Sequence, residues 1–242
     1  MSQLIKAEVY KFRQEKSVWI ISVILIACAC ISIFTNVYAS AEDTFANLGK
    51  DAMILYLACA IYAGLSIADE FGNRTVIHII AFGYSRLQFM LAKLLHYFGG
   101  CALIAILYLA ISTVIAAIVL GLDTSMPMLV CHIIWCLLVG SPIYFCMAMF
   151  FFMFVIIMQK GTLAIAGSIS FSILSVVFSN KAYFSRPLPE RSWLRLLPAI
   201  QLPQIYEGSF VLSDYLLTCI ISTVGIILLF FICSVFIRKI EL

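Results

Sequence analysis

Charged residues in this chain are confined to narrow bands, and the long uncharged stretches between the bands decide what it can fold into. Apolar runs of roughly 20 to 36 residues lie between Lys16 and Glu42, Lys93 and Asp123, Asp123 and Lys160, Lys160 and Lys181, and Asp214 and Arg238. Each can cross ~30 Å of hydrocarbon as a helix rising ~1.5 Å per residue. The interval from Asp51 to Asp69 is shorter, near the lower limit of ~17 residues, and is counted because the loop charges contradict each other without it. Only 11% of the 242 residues are charged and 64% are hydrophobic, too little polar surface for a soluble domain of this size. The runs are continuous rather than alternating in short segments, which favours helices over a β-barrel. The expectation is an all-α integral membrane protein with six transmembrane helices.

The chain divides accordingly into one transmembrane domain, 1–242. Residues 1–16 precede the first span, 17–68 hold spans one and two, and 69–93 form a polar connection. Spans three to five fill 94–180, a loop occupies 181–213, and span six with a basic tail closes 214–242. The opening residues are too charged for a secretory leader and no small-residue cleavage site follows, so the first span is expected to be retained. With both termini in the cytoplasm, ten of the fifteen lysines and arginines lie inside and five outside, as the positive-inside tendency favours.

In residues 2–16, Ile5, Val9 and Phe12 share one helical face, with Lys6 and Arg13 beside it. That is the pattern of a helix lying in the membrane interface, although Glu8 and Glu15 interrupt it. Residues 69–93 are too long for a simple turn. Gly72 is a flexible point, Asn73 or Thr75 can cap a short helix, and Gly83 can end it. Ser85 with Gln88 then makes a capping box for the next helix, and Arg86 and Lys93 sit at the membrane surface. In the loop before span six, Trp193 with Leu196 and Leu197 can face lipid while Arg191 and Arg195 meet headgroups, as an exterior gate or as a structural lid.

Chemistry is marked by what is missing. No Gly-x-x-x-x-Gly-Lys-Ser/Thr loop occurs, so the chain has no means of its own to cradle ATP phosphates. The apolar runs carry no Asp, Glu, Lys or Arg at their centres, where ion-coupled transporters usually keep one. The nine cysteines all fall in apolar runs, without a Cys-x-x-Cys beside histidines, and read as small apolar filler. His78, His96 and His132 read as satisfied or snorkelling residues rather than proton relays. No catalytic grouping and no metal cluster is legible, and nothing points to nucleic acid.

The chain resembles ABC-2-type transporter permeases. The resemblance rests on Glu70, Phe71 and Thr75, on Gly-Tyr-Ser-Arg at 83–86 with Lys93, and on Ala7, Glu8 and Lys11 ahead of Trp19. It implies that residues 1–16 form an elbow helix, and that residues 69–93 carry a coupling helix seated on an ATPase. It implies also that the last exterior loop is partly re-entrant. Coupling would then involve Glu70, Phe71, Arg74, Thr75 and Arg86. The partners would be an ABC ATPase subunit holding ATP and Mg, a second permease copy or paralogue, the lipid bilayer and an amphipathic substrate. The small size resembles bacterial cell-membrane exporters of peptides of the toxin, bacteriocin or lantibiotic type. Two rivals stay open: a secondary transporter or channel, and a non-transporting peptide-sensing or immunity protein.

Overall fold

A computed structural model describes residues 2–35, 40–50, 52–68, 80–122, 125–159, 161–184, 205 and 212–239. Among these residues all regular structure is helical. In chain order the elements are α1 (Ser2–Gln14), α2 (Ser17–Phe34), α3 (Ala41–Lys50) and α4 (Ala52–Ala63), which runs into a π-helical turn at Gly64–Ala68. They continue with α5 (Arg86–Val119), α6 (Met126–Met158), α7 (Gly161–Phe184) and α8 (Leu212–Lys239).

Among the described residues, four helices contain segments long and apolar enough to cross a membrane: Ser17–Phe34, Arg86–Val119, Met126–Met158 and Tyr215–Arg238. The other two expected spans coincide with shorter apolar helices, Ile54–Ile67 and Ile165–Leu174. The chain is thus a multi-pass membrane protein. Helix α3 forms between the first two spans. Its acidic first turn, Glu42 and Asp43, suits the positive end of a helix dipole.

Local chemistry explains most of the helix ends. Ser85 begins α5 with a full capping box: its hydroxyl accepts from the Gln88 amide at 3.2 Å, and the Gln88 side chain accepts from the Ser85 amide at 3.1 Å. Gly83 just before it has φ +89°, a conformation that costs glycine nothing. After α5 the chain turns at Gly121, φ +93°, and Pro127 enters α6 in its first turn, where its missing N–H has no intrahelical partner to lose. Pro142, deep inside α6, does remove a ladder donor. The Ser141 hydroxyl donates to the Leu138 carbonyl at 2.8 Å, so the acceptor freed by Pro142 is satisfied inside the helix. One residue on, the Tyr215 hydroxyl donates to the Val139 carbonyl at 3.0 Å and ties α8 to the same place.

Helices α5 and α6 form the centre of the bundle. α8 packs on α6, α2 and α3 pack on α5, and α4 is held between α5, α6 and α7. The buried core is aromatic, with Tyr62, Tyr97, Tyr108, Phe89, Phe151 and Phe152 almost fully enclosed. Two phenol groups within it bond to backbone: Tyr97 donates to the Cys59 carbonyl at 3.1 Å, and Tyr144 to the Cys101 carbonyl at 3.0 Å. Cys59 and Cys101 pack against these rings, and the Cys59 thiol, read from the sequence as apolar filler, also lies 2.8 Å from the Tyr144 hydroxyl as a hydrogen-bond partner. Of the serines on α7, Ser168 and Ser172 are buried in packing while Ser170 is exposed.

Contacts between helix ends give the bundle two poles. At one, α1 meets the start of α5, Glu15 just after α1 meets the end of α4, and Arg86 joins the start of α5 to the end of α8. At the other, the Ala41 amide bonds the Gly121 carbonyl at 3.2 Å and Phe45 meets His132 edge-on. The first and last described helices therefore end at the same pole as the connection between α4 and α5.

Candidate functional site: the buried charge cluster beside the 69–93 connection

The pole that carries the connection between α4 and α5 holds the densest polar chemistry among the described residues. Its foundation is the length of α5. At 34 residues the helix extends about 51 Å, roughly 20 Å more than the hydrocarbon core requires. Lys93 and His96 stand about 10 and 15 Å along it from Arg86. Being three residues apart, they lie on one face, and that face is covered by α1.

From α1, Glu8 places Oε1 2.6 Å from Lys93 Nζ, and both side chains are at least nine-tenths buried. Lys93 also lies over the Phe89 ring, 5.7 Å from its centroid. His96 is enclosed on all sides. Its Nδ1 meets the Glu8 carbonyl oxygen at 3.3 Å, its Nε2 meets Glu15 Oε2 at 2.7 Å, and Phe12 stands edge-on to its ring. Glu8 Oε2 lies 3.2 Å from Nδ1 as an ionic contact, without the alignment of a hydrogen bond. Both ring nitrogens face acceptors, an arrangement that a ring with two N–H donors satisfies completely. The cluster then balances two carboxylates with two cations, which is what allows four ionisable groups to be withdrawn from water together. Burial works against ionising Glu8, but the contact with His96 and the charge of Lys93 outweigh it and bring its carboxyl down to about 2.

Glu15 extends the cluster to α4. It sits in the two-residue link between α1 and α2, and its Oε2 accepts from the Tyr62 hydroxyl at 3.2 Å as well as from His96. Tyr62 belongs to the last turn of α4, directly before the π-helical turn. Its ring stacks on Tyr97 at 5.8 Å and lies flat against Gly100, where any Cβ would fall inside it. An open polar cleft of about 300 Å³ borders Glu15, lined by Lys11, Gln14, Ser17, Leu65 and Ser66. A second, almost wholly apolar groove of about 180 Å³ runs between α1 and α5 past Ile5, Val9, Phe12, Leu95 and Gly99.

The residues expected to matter are distributed unevenly around this centre. Ile5 and Phe12 are half-buried in the groove, whereas Val9 is 50% exposed and Leu4 is buried instead. The inward face of α1 is therefore rotated toward Leu4 and Glu8. Arg86 turns away from α1, and its Nη1 donates to the carbonyls of Ile237 at 3.2 Å and Arg238 at 2.6 Å. These are among the carbonyls that a helix C-terminus leaves without partners, so Arg86 caps α8 from outside. Glu70, Phe71, Arg74 and Thr75, and in the exterior loop Arg191, Trp193 and Arg195, lie outside the described residues.

Sequence reasoning missed the cluster itself. Glu8 and Glu15 read as flaws in an amphipathic face, and Lys93 as a surface charge. Glu8 and Glu15 are two helical turns apart, and Lys93 and His96 one turn apart, which puts each pair on one face but does not say that the two faces meet.

The N-terminal helix is thus clamped onto a multi-pass helical bundle where α4 ends and α5 begins. The chain belongs to the ABC-2 transporter family: the family model described as "ABC-2 family transporter protein" matches residues 4–179, which include α1, the charge cluster and the 69–93 connection. No curated protein matches the chain at a significant level.

Proposed function

We propose that this chain is the membrane-spanning subunit of an ATP-driven exporter in a bacterial cell membrane. ATP and Mg are held by a separate ATPase subunit that docks on residues 69–93, with both termini on the same, cytoplasmic side. The single observation that carries this reading is the family match over residues 4–179. The geometry supports it, because the connection is anchored at both ends. Tyr62 and the π-helical turn hold the side that comes from α4, and the Ser85 cap with Arg86 holds the side that enters α5.

In this mechanism, closure of the ATPase dimer pushes the coupling segment. Glu70, Phe71, Arg74, Thr75 and Arg86 receive that push, and two permease copies, identical or paralogous, rock between inward- and outward-open states. Residues 181–213, with Arg191, Trp193 and Arg195, form the exterior lid or gate. The cargo is an amphipathic peptide of the toxin, bacteriocin or lantibiotic type, a reading that rests on family resemblance alone. The rival reading of an ion-coupled secondary transporter expects an ionisable group at mid-membrane. Among the described residues the buried ionisable cluster sits at one pole of the bundle instead.

Co-purification from the native membrane in mild detergent tests the proposal. A stoichiometric soluble ATPase whose activity depends on this chain is the expected result. A chain that emerges without any nucleotide-binding partner overturns it. In inside-out vesicles, ATP-dependent uptake of a labelled amphipathic peptide tests the cargo. Unchanged ATP-driven uptake in Arg74→Glu removes that residue from the coupling set.

A further inference from the structure

The charge cluster is more than a clasp for α1, because one oxygen atom in it serves three parts of the molecule. Glu15 lies between the end of α1 at Gln14 and the start of α2 at Ser17. Its Oε2 accepts a hydrogen bond from Tyr62 on α4 and another from His96 on α5, and its side chain is nine-tenths buried. Neither donor is free to slide. The Tyr62 ring is wedged between Tyr97 and the bare backbone of Gly100, and the Tyr62 carbonyl accepts from the Ser66 hydroxyl at 2.8 Å within the π-helical turn. The His96 ring is gripped by Glu8 and Phe12.

Packed side chains of this kind transmit displacement because they have few alternative arrangements. The π-helical turn ends at Ala68, and the proposed coupling segment begins at the next residue. A push on that segment passes through the π-helical turn, where Gly64 packs against Ile165 of α7, to Tyr62, which in turn meets Gly100 of α5 and the Glu15 carboxylate.

We infer that Glu15 is a positioning residue for the transport cycle, a joint that passes displacement of the end of α4 to α1 and α5 together. This rests on the exporter reading above and adds to it a specific route. In that route α1 moves as part of the bundle rather than floating on the bilayer surface. Without the joint, movement of the connection would still reach α5 through Gly100, but α1 would lag behind.

Hydrogen exchange on the purified complex of this chain with its ATPase tests the inference, with and without a non-hydrolysable ATP analogue and Mg. The wild-type complex is expected to change amide protection in both 64–68 and α1 when nucleotide binds. Tyr62→Phe, which removes one hydroxyl and keeps the ring, is expected to retain the change in 64–68 and lose at least half of the change in α1. Glu15→Gln should do the same. A merely structural contact would raise exchange in α1 under both conditions and leave the nucleotide-dependent difference intact, and that result overturns the inference. So does a wild-type complex in which nucleotide leaves α1 unchanged. Should Glu15→Gln fail to fold, Tyr62→Phe decides alone. Failure to recover any ATPase complex counts against the exporter reading itself, and is thereby distinguishable from failure of the joint within an assembled complex.

Discussion

Lys93 Nζ sits 2.6 Å from Oε1 of Glu8, and this contact fastens the N-terminal helix to α5 through two charges that are both shut off from solvent. A buried pair of this kind contributes little net stability when intact, but it is costly to break from one side.

Removing one partner should therefore be far worse than removing both. Glu8→Gln and Lys93→Met are each expected to destabilise the folded chain by about 3–5 kcal/mol, because each strands an uncompensated charge. The double variant should recover a large part of that loss. Thermal unfolding of the four proteins in one detergent measures the coupling. Additive losses would show that the two charges do not depend on each other.

The same pair sets an acid limit. The carboxyl of Glu8 titrates near 2 in the fold against 4.5 in an ordinary environment, so the unfolded form binds protons first as pH falls. Its stabilising contribution is complete above about 4.5 and declines as pH drops toward 2. Lys93 and His96 face Glu8 from α5 at 2.6 and 3.2 Å, and Glu15 faces His96 from the other side, so protonating Glu8 removes one of the two carboxylate charges that hold this cluster together. Amide protection of α1 in wild type should fall over this range. In Glu8→Gln it should already be low and follow pH far less.

Arg86 offers a separate handle on the other end of the chain. Its guanidinium bonds two terminal carbonyls of α8, and hydrogen bonds from a charged donor are worth about 1.5–3 kcal/mol. Arg86→Gln is expected to speed amide exchange in the last turn of α8 by about tenfold or more, with α1 unaffected. Equal protection in variant and wild type would remove the cap.

Two neighbouring glycines provide an internal control. A Cβ at Gly100 would collide with the Tyr62 ring, whereas nothing lies within 4 Å of one at Gly99. Gly100→Ala should lower stability by about 1–3 kcal/mol through overpacking. Gly99→Ala should leave it unchanged or raise it slightly, since alanine is the better helix former. Equal behaviour of the two would mean that the ring does not press on α5.

These contrasts mark where the sequence was readable. The start of α5 could be foreseen because a capping box is local: Ser85 and Gln88 are three residues apart and satisfy each other without help from the rest of the fold. The apolar stretches were equally plain, since bilayer thickness alone fixes their length. Glu8, Glu15, Tyr62 and His96 belong to three stretches of chain far apart in sequence. Their pairing depends on which turn of α1 meets which turn of α5, and no local spacing specifies that. Along α1, Ile5 and Phe12 are half-buried while Val9 between them is 50% exposed, a difference that helical spacing alone does not specify.

The π-helical turn at Gly64–Ala68 alters the phase of α4. Each of its hydrogen bonds encloses one residue more than an α-helical bond does, and one residue corresponds to about 100° of rotation about the axis. Side chains after the turn are therefore out of step with those before it, and a helical wheel drawn straight through from Ala52 assigns the final residues to the wrong sector. Ala68 consequently ends the helix on a different compass bearing from the one that an unbroken α-helix would impose, and five residues suffice to set it.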